Sequence, residues 1–288
     1  MSGTEQVAIA STDIELTVLP RIGARMHSLR VRGRELLRSP ANPAQHASNP
    51  FFWGGFVMAP WCNRLEPGPV RVDDRTVDLP VNFRDGSAIH GQVYAAQWQQ
   101  TGDSSFTTEG GGSGWPWRYR VEAQYAIAES RVSITLGLHN LSEESMPGGV
   151  GIHPWFPWPV EARLDCALTY GSNTQPFDLP VPVSGDLDVR GREALAEGVD
   201  STWTQAGDPP VELWWPQDGI HATMRAAFAG LHVTAANATD VHAIAVEPQT
   251  HAPQGLTRLL NKQPGALAWI APGQALLLPV TIDFDWTS

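Results

Sequence analysis

The chain is poor in cysteine, in basic residues and in long apolar runs. Its two cysteines in 288 residues, Cys62 and Cys166, cannot form the framework of a disulfide-stapled scaffold. Nineteen Lys and Arg stand against 30 Asp and Glu, a formal charge of −11 with His neutral. Nucleic acid and anionic membranes both demand a basic patch, so both are excluded as partners and a neutral or cationic small molecule is favoured. No stretch approaches the roughly 20 apolar residues that span a bilayer. The opening MSGTEQVAIA has neither a basic start nor an apolar run of leader length, so a cytoplasmic protein without a signal peptide is expected. Helical periodicity is scarce, no linker divides the chain, and no repeat of about 20–50 residues occurs.

Period-two alternation is what the chain has instead. Ile14, Leu16 and Val18 alternate with polar residues, as do Leu29 and Val31. Longer runs cover Tyr119 to Ile127, Val132 to Leu138 and Val280 to Trp286. Such runs make strands with one buried face. Gly and Pro clusters separate them at 66–69, 110–114, 147–149, 208–210 and 271–273. The expectation is an all-β chain, a large antiparallel β-sandwich formed as a single domain over residues 1–288. Gly110 to Gly114 reads as a long hairpin loop. Pro279 predicts that the last strand lies at an edge or starts late. The short stretch Arg192 to Glu197 is the one helical segment expected. Ala243 to Val246 reads as a buried strand that Glu247-Pro248 ends. Twelve Trp is a high count for this length, enough to supply both core and binding surface.

Chemistry gathers first at Val150 to Phe156. His153 lies between a Gly-rich lead and Pro154-Trp155-Phe156. Glycine permits close approach of chain or ligand, and Pro154 pushes His153 towards an extended backbone. An acid/base group beside flat aromatic faces suits a sugar, whose C–H faces stack while its hydroxyls hydrogen-bond. On its own, such a His is equally a buried, hydrogen-bonded residue at a strand end. Arg64 precedes the turn Glu66-Pro67-Gly68, and its rigid fork can hold two adjacent oxygens. His90 is paired with Gly91 behind the turn-like Arg84 to Ser87. Glu247 at the end of an apolar strand must be paired, hydrogen-bonded or tuned. Asp200, before Ser201 and Thr202, also fits a turn or helix cap.

Taken in order, these segments resemble the aldose 1-epimerase (galactose mutarotase) family. Pro20 to Met26 is similar to its early strand and turn, and Asn63-Arg64-Leu65 to its Asn-Arg-Ile. Ile89-His90-Gly91 resembles its His-Gly element, with Trp98 where an aromatic follows. His153-Pro154-Trp155-Phe156 resembles His-Pro-Tyr-Phe, and Glu247-Pro248-Gln249-Thr250 resembles Glu-Pro-Met-Thr. Leu259 to Gly273 resembles the closing region, and Asp200 is the loosest match. The resemblance implies a supersandwich fold and an isomerase that exchanges the α and β anomers of a free aldohexose. It implies a sugar as the partner, no cofactor, no metal, and a monomer or homodimer. Glu247 would be the base, His153 the acid at the ring oxygen, and His90 its helper. Arg64 and Asp200 would hold hydroxyls as donor and acceptor, with Asn63 and Trp155 also binding substrate. Because the two proton-transfer roles exchange on ring closure, both groups should titrate near neutrality. A bell-shaped pH profile is expected, its lower limb from Glu247 and its upper from His153.

Three alternatives compete. His90, His153 and Glu247 are a possible metal set, although no His-x-His or His-x-x-x-His pair lies near these motifs. A non-catalytic sugar-binding module would keep the aromatics and Arg64 without needing both acid and base. A hexose-6-phosphate 1-epimerase would need a basic cluster, but Arg71, Arg75 and Arg84 are interspersed with Asp73, Asp74, Asp78 and Asp85.

Overall fold

The computed structural model describes residues 5–287; residues 1–4 of the opening stretch read for a leader lie outside them. Seventeen strands join in one sheet, and six more form three two-stranded ladders. The sheet runs antiparallel from Gln99–Gly102 through Ser105–Gly110, Tyr119–Ala128, Arg131–Asn140, Ala275–Trp286 and Ile220–Ala226 to the second half of Asp200–Trp215. The first half of that long strand pairs instead with His232–Ala238. From there the order is Ala243–Gln249, Gly151–Pro157, Gly55–Met58, Arg25–Val31, Ile14–Leu19 and Val7–Ala10. Val7–Ala10 comes back into contact with Tyr119–Ala128, so the sheet curls on itself. This is the large antiparallel β architecture that the alternation predicts.

Alternation also sets the core. Tyr119, Val121, Ala123 and Tyr125 are buried, while Gln124 and Ala126 between and beyond them face out. Gly110 pairs with Tyr119, which makes residues 111–118 the expected hairpin loop. Trp61, Trp98, Trp115, Trp117, Trp203 and Trp215 are buried in the main core cluster. Cys62 and Cys166 are both buried and free. Among the described residues, no helix is long and apolar enough to cross a membrane.

Three local expectations are corrected. Arg192 to Glu197 is not helical: Glu193 exchanges two backbone hydrogen bonds with Ala162, and Leu195 is drawn into the core. The short helices lie at Gln45–Ser48 and Gly255–Leu260, with a 3₁₀ turn at Gly185–Leu187. The last strand starts at Ala275 and has neighbours on both sides. Pro279 is tolerated there because its carbonyl accepts from Ala227, just past the end of the Ile220–Ala226 ladder, and its nitrogen faces the same way. Finally, Glu247-Pro248 does not end its strand, which continues to Gln249.

Candidate active site

Strand register brings the acid/base candidates together. Gly151 pairs with Gln249 and Trp155 with Ala245, so His153 faces Glu247 between those pairs. Pro154 and Pro248 have no N–H to donate, and the ladder is interrupted between the bracketing pairs. On its other side His153 pairs with Phe56, while Glu247 pairs with Thr234 and Thr234 with Thr202. Phe56, His153, Glu247, Thr234 and Thr202 therefore form one row across five strands. Side chains two residues away along each strand share that face. This places Trp155, Ala245, Ala236 and Asp200 in the adjacent row, with two alanines between the indole and the carboxylate.

The rows form the wall of an open cleft of about 320 Å³, which Arg64, His90, His153, Asp200 and Glu247 all line. That volume lies at the lower end for small-molecule sites and suits one sugar ring. Phe51, Phe52, Phe83 and Trp155 supply its aromatic surface. A larger hollow of about 670 Å³ lies around Asp208 and Arg225, but those two groups are already paired with each other and no acid/base pair converges there.

His153 Nε2 lies 3.1 Å from Glu247 Oε1, and both side chains are almost fully buried. The His153 ring stacks on Phe56 at 4.4 Å, and Trp155 lies 5.1 Å from it. Burial pushes Glu247 well above the usual carboxylate range, and the Asp200 charge adds to the push while Arg64 opposes it. Burial pushes His153 well below neutrality, and Arg25, stacked on the Phe56 ring, contributes in the same direction. Both directions favour an uncharged pair that holds one proton on the carboxyl side. In a pair held this way the acid limb of a pH profile is expected from a second proton entering at His153 and the alkaline limb from the proton leaving Glu247, the opposite of the assignment expected from the sequence.

His90 is held by Asn63. Its backbone N–H donates to the Asn63 carbonyl at 3.1 Å, and the Asn63 N–H donates to His90 Nδ1 at 3.3 Å. Both residues adopt left-handed backbone, at φ 61° and 54°. Gly91 follows because the chain passes so close to Ala59 that a Cβ would lie 1.9 Å from its carbonyl oxygen. Since Nδ1 accepts, the neutral ring carries its proton on Nε2. Burial, then the neighbouring His153 and Arg64, keep His90 well below its usual value, so it is a fixed neutral donor. The same wiring bears on the metal alternative. A ligand atom from each of His90, His153 and Glu247 lies within 4.8 Å of the others. A metal-binding imidazole gives its second N–H to an acceptor, whereas His90 Nδ1 meets a donor, which disfavours a metal.

Arg64 is oriented by two carboxylates, one of which the sequence did not single out. Its Nε donates to Asp85 Oδ2 at 2.6 Å, and its Nη2 is ion-paired with Asp200 Oδ2 at 2.9 Å. Asp85 also accepts the backbone and hydroxyl protons of Ser87. Burial alone would raise Asp85, but the bonds from Arg64 and Ser87 outweigh it and hold the carboxyl below its usual range. Asp200 Oδ1 takes the Asn173 amide proton at 2.6 Å. The Thr202 hydroxyl donates to Asn173 Oδ1, so Thr234 must donate to Thr202 across 2.6 Å. Both Asp200 oxygens are thus already engaged, and Asp200 fixes Arg64 as well as offering a remaining lone pair. We expect Asp85→Ala to raise KM about tenfold and to change kcat little, since one charged hydrogen bond that orients Arg64 is lost. Initial-rate polarimetry checks this, and an unchanged KM would remove Asp85 from the site.

Asn63 also lines the cleft, and its side-chain oxygen is engaged by the Arg64 backbone N–H at 2.8 Å. Trp61 packs on Trp115 in the core, away from the cleft, whereas Trp155 lines it with its indole N–H fixed on the Phe51 carbonyl. Phe56 and Thr234 lay in apolar or mixed runs, and only the register reveals them.

Similar proteins share this frame. The chain is 23% identical to the uncharacterised protein YihR of Escherichia coli (strain K12) over 270 residues, covering 86% of this chain and 85% of that one. A galactose mutarotase-like protein from Clostridium acetobutylicum superposes with a TM-score of 0.81 at 15% identity, over 97% of this chain and 95% of its own. An aldose epimerase homologue from C. elegans gives 0.81 at 15% identity, over 99% of both chains. The galactose 1-epimerase of Lactobacillus acidophilus gives 0.74 at 14%, over 97% of this chain and 93% of its own. The aldose 1-epimerase family model matches residues 6–276, and the chain belongs to that family.

Proposed function

We propose that the protein is an aldose 1-epimerase that interconverts the α and β anomers of a free aldohexose. The observation that carries this reading is the apposition of His153 and Glu247 at 3.1 Å in an open cleft. In the forward step the pair's proton passes from Glu247 to His153 across their 3.1 Å contact, the Glu247 carboxylate takes the O1 proton and the C1–O5 bond breaks. The His153 imidazolium protonates O5, with the His90 N–H donating to the same oxygen. Ring opening leaves a free aldehyde, a neutral carboxylic acid and a neutral imidazole. That is the uncharged state that burial favours, so the dry cleft assists the opening. Rotation about C1–C2 presents the other carbonyl face. Glu247 then returns its proton to the carbonyl oxygen as His153 takes the O5 proton.

Arg64 and Asp200 orient the ring hydroxyls, and Trp155 offers a face for stacking. Neither metal nor cofactor is required by this proton exchange. The two free, buried cysteines fit a reducing, cytoplasmic setting, and one domain suffices to build the cleft. Polarimetry of freshly dissolved α-glucose and α-galactose, with a chelator present, tests the reading. The expected result is decay to equilibrium well above the spontaneous rate. Saturable sugar binding without any acceleration would identify a binding module instead.

A further inference from the structure

Three consecutive backbone N–H groups on the segment that carries Arg64 end on side chains. Cys62 N–H donates to His251 Nε2 at 2.8 Å, Asn63 N–H to His90 Nδ1 at 3.3 Å, and Arg64 N–H to Asn63 Oδ1 at 2.8 Å. His251 lies two residues beyond the strand that holds Glu247 and is fully buried. Its Nδ1 lies 2.7 Å from the Ala252 carbonyl and must carry the proton to donate there, which leaves Nε2 as an acceptor. Gly149 and Gly255 are its walls: a Cβ on either would lie 2.1 Å or 2.5 Å from the ring. The Arg64 carbonyl in turn accepts from the Gln254 N–H at 2.9 Å. The end of the Glu247 strand is thereby tied at two points to the segment that clamps His90.

We propose that His251 is a positioning residue that sets the tautomer and aim of His90 through the Cys62–Asn63 backbone. Without an acceptor at Nε2, the buried Cys62 N–H has no partner and the peptide must turn to find one. Asn63 then no longer presents its N–H to His90 Nδ1, and the proton on His90 Nε2 is no longer fixed. The kinetic consequence rests on the proposed acid/base reading; the tautomer itself does not.

The test compares His251→Leu, which has no acceptor, with His251→Gln, whose amide oxygen can occupy the place of Nε2. Nitrogen-15 NMR of histidine-labelled protein reads the tautomer of His90, and polarimetry reads kcat and KM. His251→Leu should convert His90 from a single Nε2–H form to a mixture and lower kcat about tenfold, the scale of one lost buried hydrogen bond. His251→Gln should restore both readouts. On a His90→Asn background, His251→Leu should lower kcat no further than about twofold, because its effect passes through the residue already removed. An unchanged His90 spectrum in His251→Leu would overturn the proposal, as would additive losses in the double variant. If His251→Leu does not fold, a His251→Gln protein that folds with a mixed His90 tautomer is the overturning result. If the wild type does not accelerate mutarotation, the proposed activity fails while the NMR comparison still decides the role of His251.

Discussion

Glu247→Gln is expected to lower the rate of mutarotation by about 10²–10⁴-fold, the usual share of a general acid/base group. The amide matches the carboxyl in size and preserves the packing against Thr234, but it cannot take the O1 proton. His153→Asn should lose a comparable factor, because the imidazole is the other end of the same proton exchange. The double variant should be little worse than the poorer single, as for groups that act as a unit. His90→Asn should lose less, since a fixed neutral donor supports the ring oxygen without exchanging a proton. Initial rates with α-galactose, alongside circular dichroism to confirm folding, measure all four. A Glu247→Gln protein that works at the wild-type rate would place the base elsewhere.

The second large effect concerns stability in mild acid. His46, His90, His153, His232 and His251 are each at most 6% exposed. Burial pushes His46, His153 and His232 down to about 3, His251 to about 4, and His90 well below its usual value. In the unfolded chain all five take up protons as the pH falls below about 6.5. Folded, His46, His153, His232 and His251 do not until about pH 4 or lower, and His90 is held down in the same direction, so in that window the unfolded state binds more protons and stability falls as the pH drops. Each histidine contributes about 1.4 kcal/mol per pH unit at the limit. Glu247 acts in the opposite sense, because its raised folded value keeps a proton that the unfolded carboxyl releases above about pH 4.3. The net excess of protons on the unfolded chain makes stability fall steeply as the pH drops. Against a typical stability of about 5–15 kcal/mol, cooperative unfolding is expected between about pH 5.5 and 4. Urea midpoints at pH 7.5, 6.5 and 5.5 test this. A midpoint that does not move across that range would show that the buried imidazoles acquire partners on protonation.

Fold class was legible because a half-buried antiparallel strand writes its burial into every second residue, as in Tyr119 to Tyr125. That His90, His153 and Glu247 stand out as candidates was legible because Gly, Pro and aromatic neighbours set them apart from ordinary strand residues. Their partners were not. Asp85 lies in a turn whose composition any loop would have, and only the fold brings it to Arg64. Phe56 reads as core, yet it forms the surface on which His153 rests. Pro279 and Pro248 misled in the same way: a proline within a strand is excluded only where its nitrogen faces a ladder partner, and neither strand ends there. Exposure and pairing direction are properties of the assembled sheet and leave no local mark.

The row from Phe56 to Thr202 crosses strands in an order that is not their order of synthesis. Phe56 leaves the ribosome roughly 10 to 40 s before Glu247, and His153 roughly 5 to 20 s before it, at ordinary elongation rates. Until Ala243–Gln249 arrives, Gly151–Pro157 is an open edge of a growing sheet, which invites pairing with the wrong chain. Pro154 turns its nitrogen to that edge and cannot donate a hydrogen bond to an intruding strand. The residue that interrupts the ladder beside His153 and Glu247 in the finished protein thus also leaves that edge one donor short while it stands open.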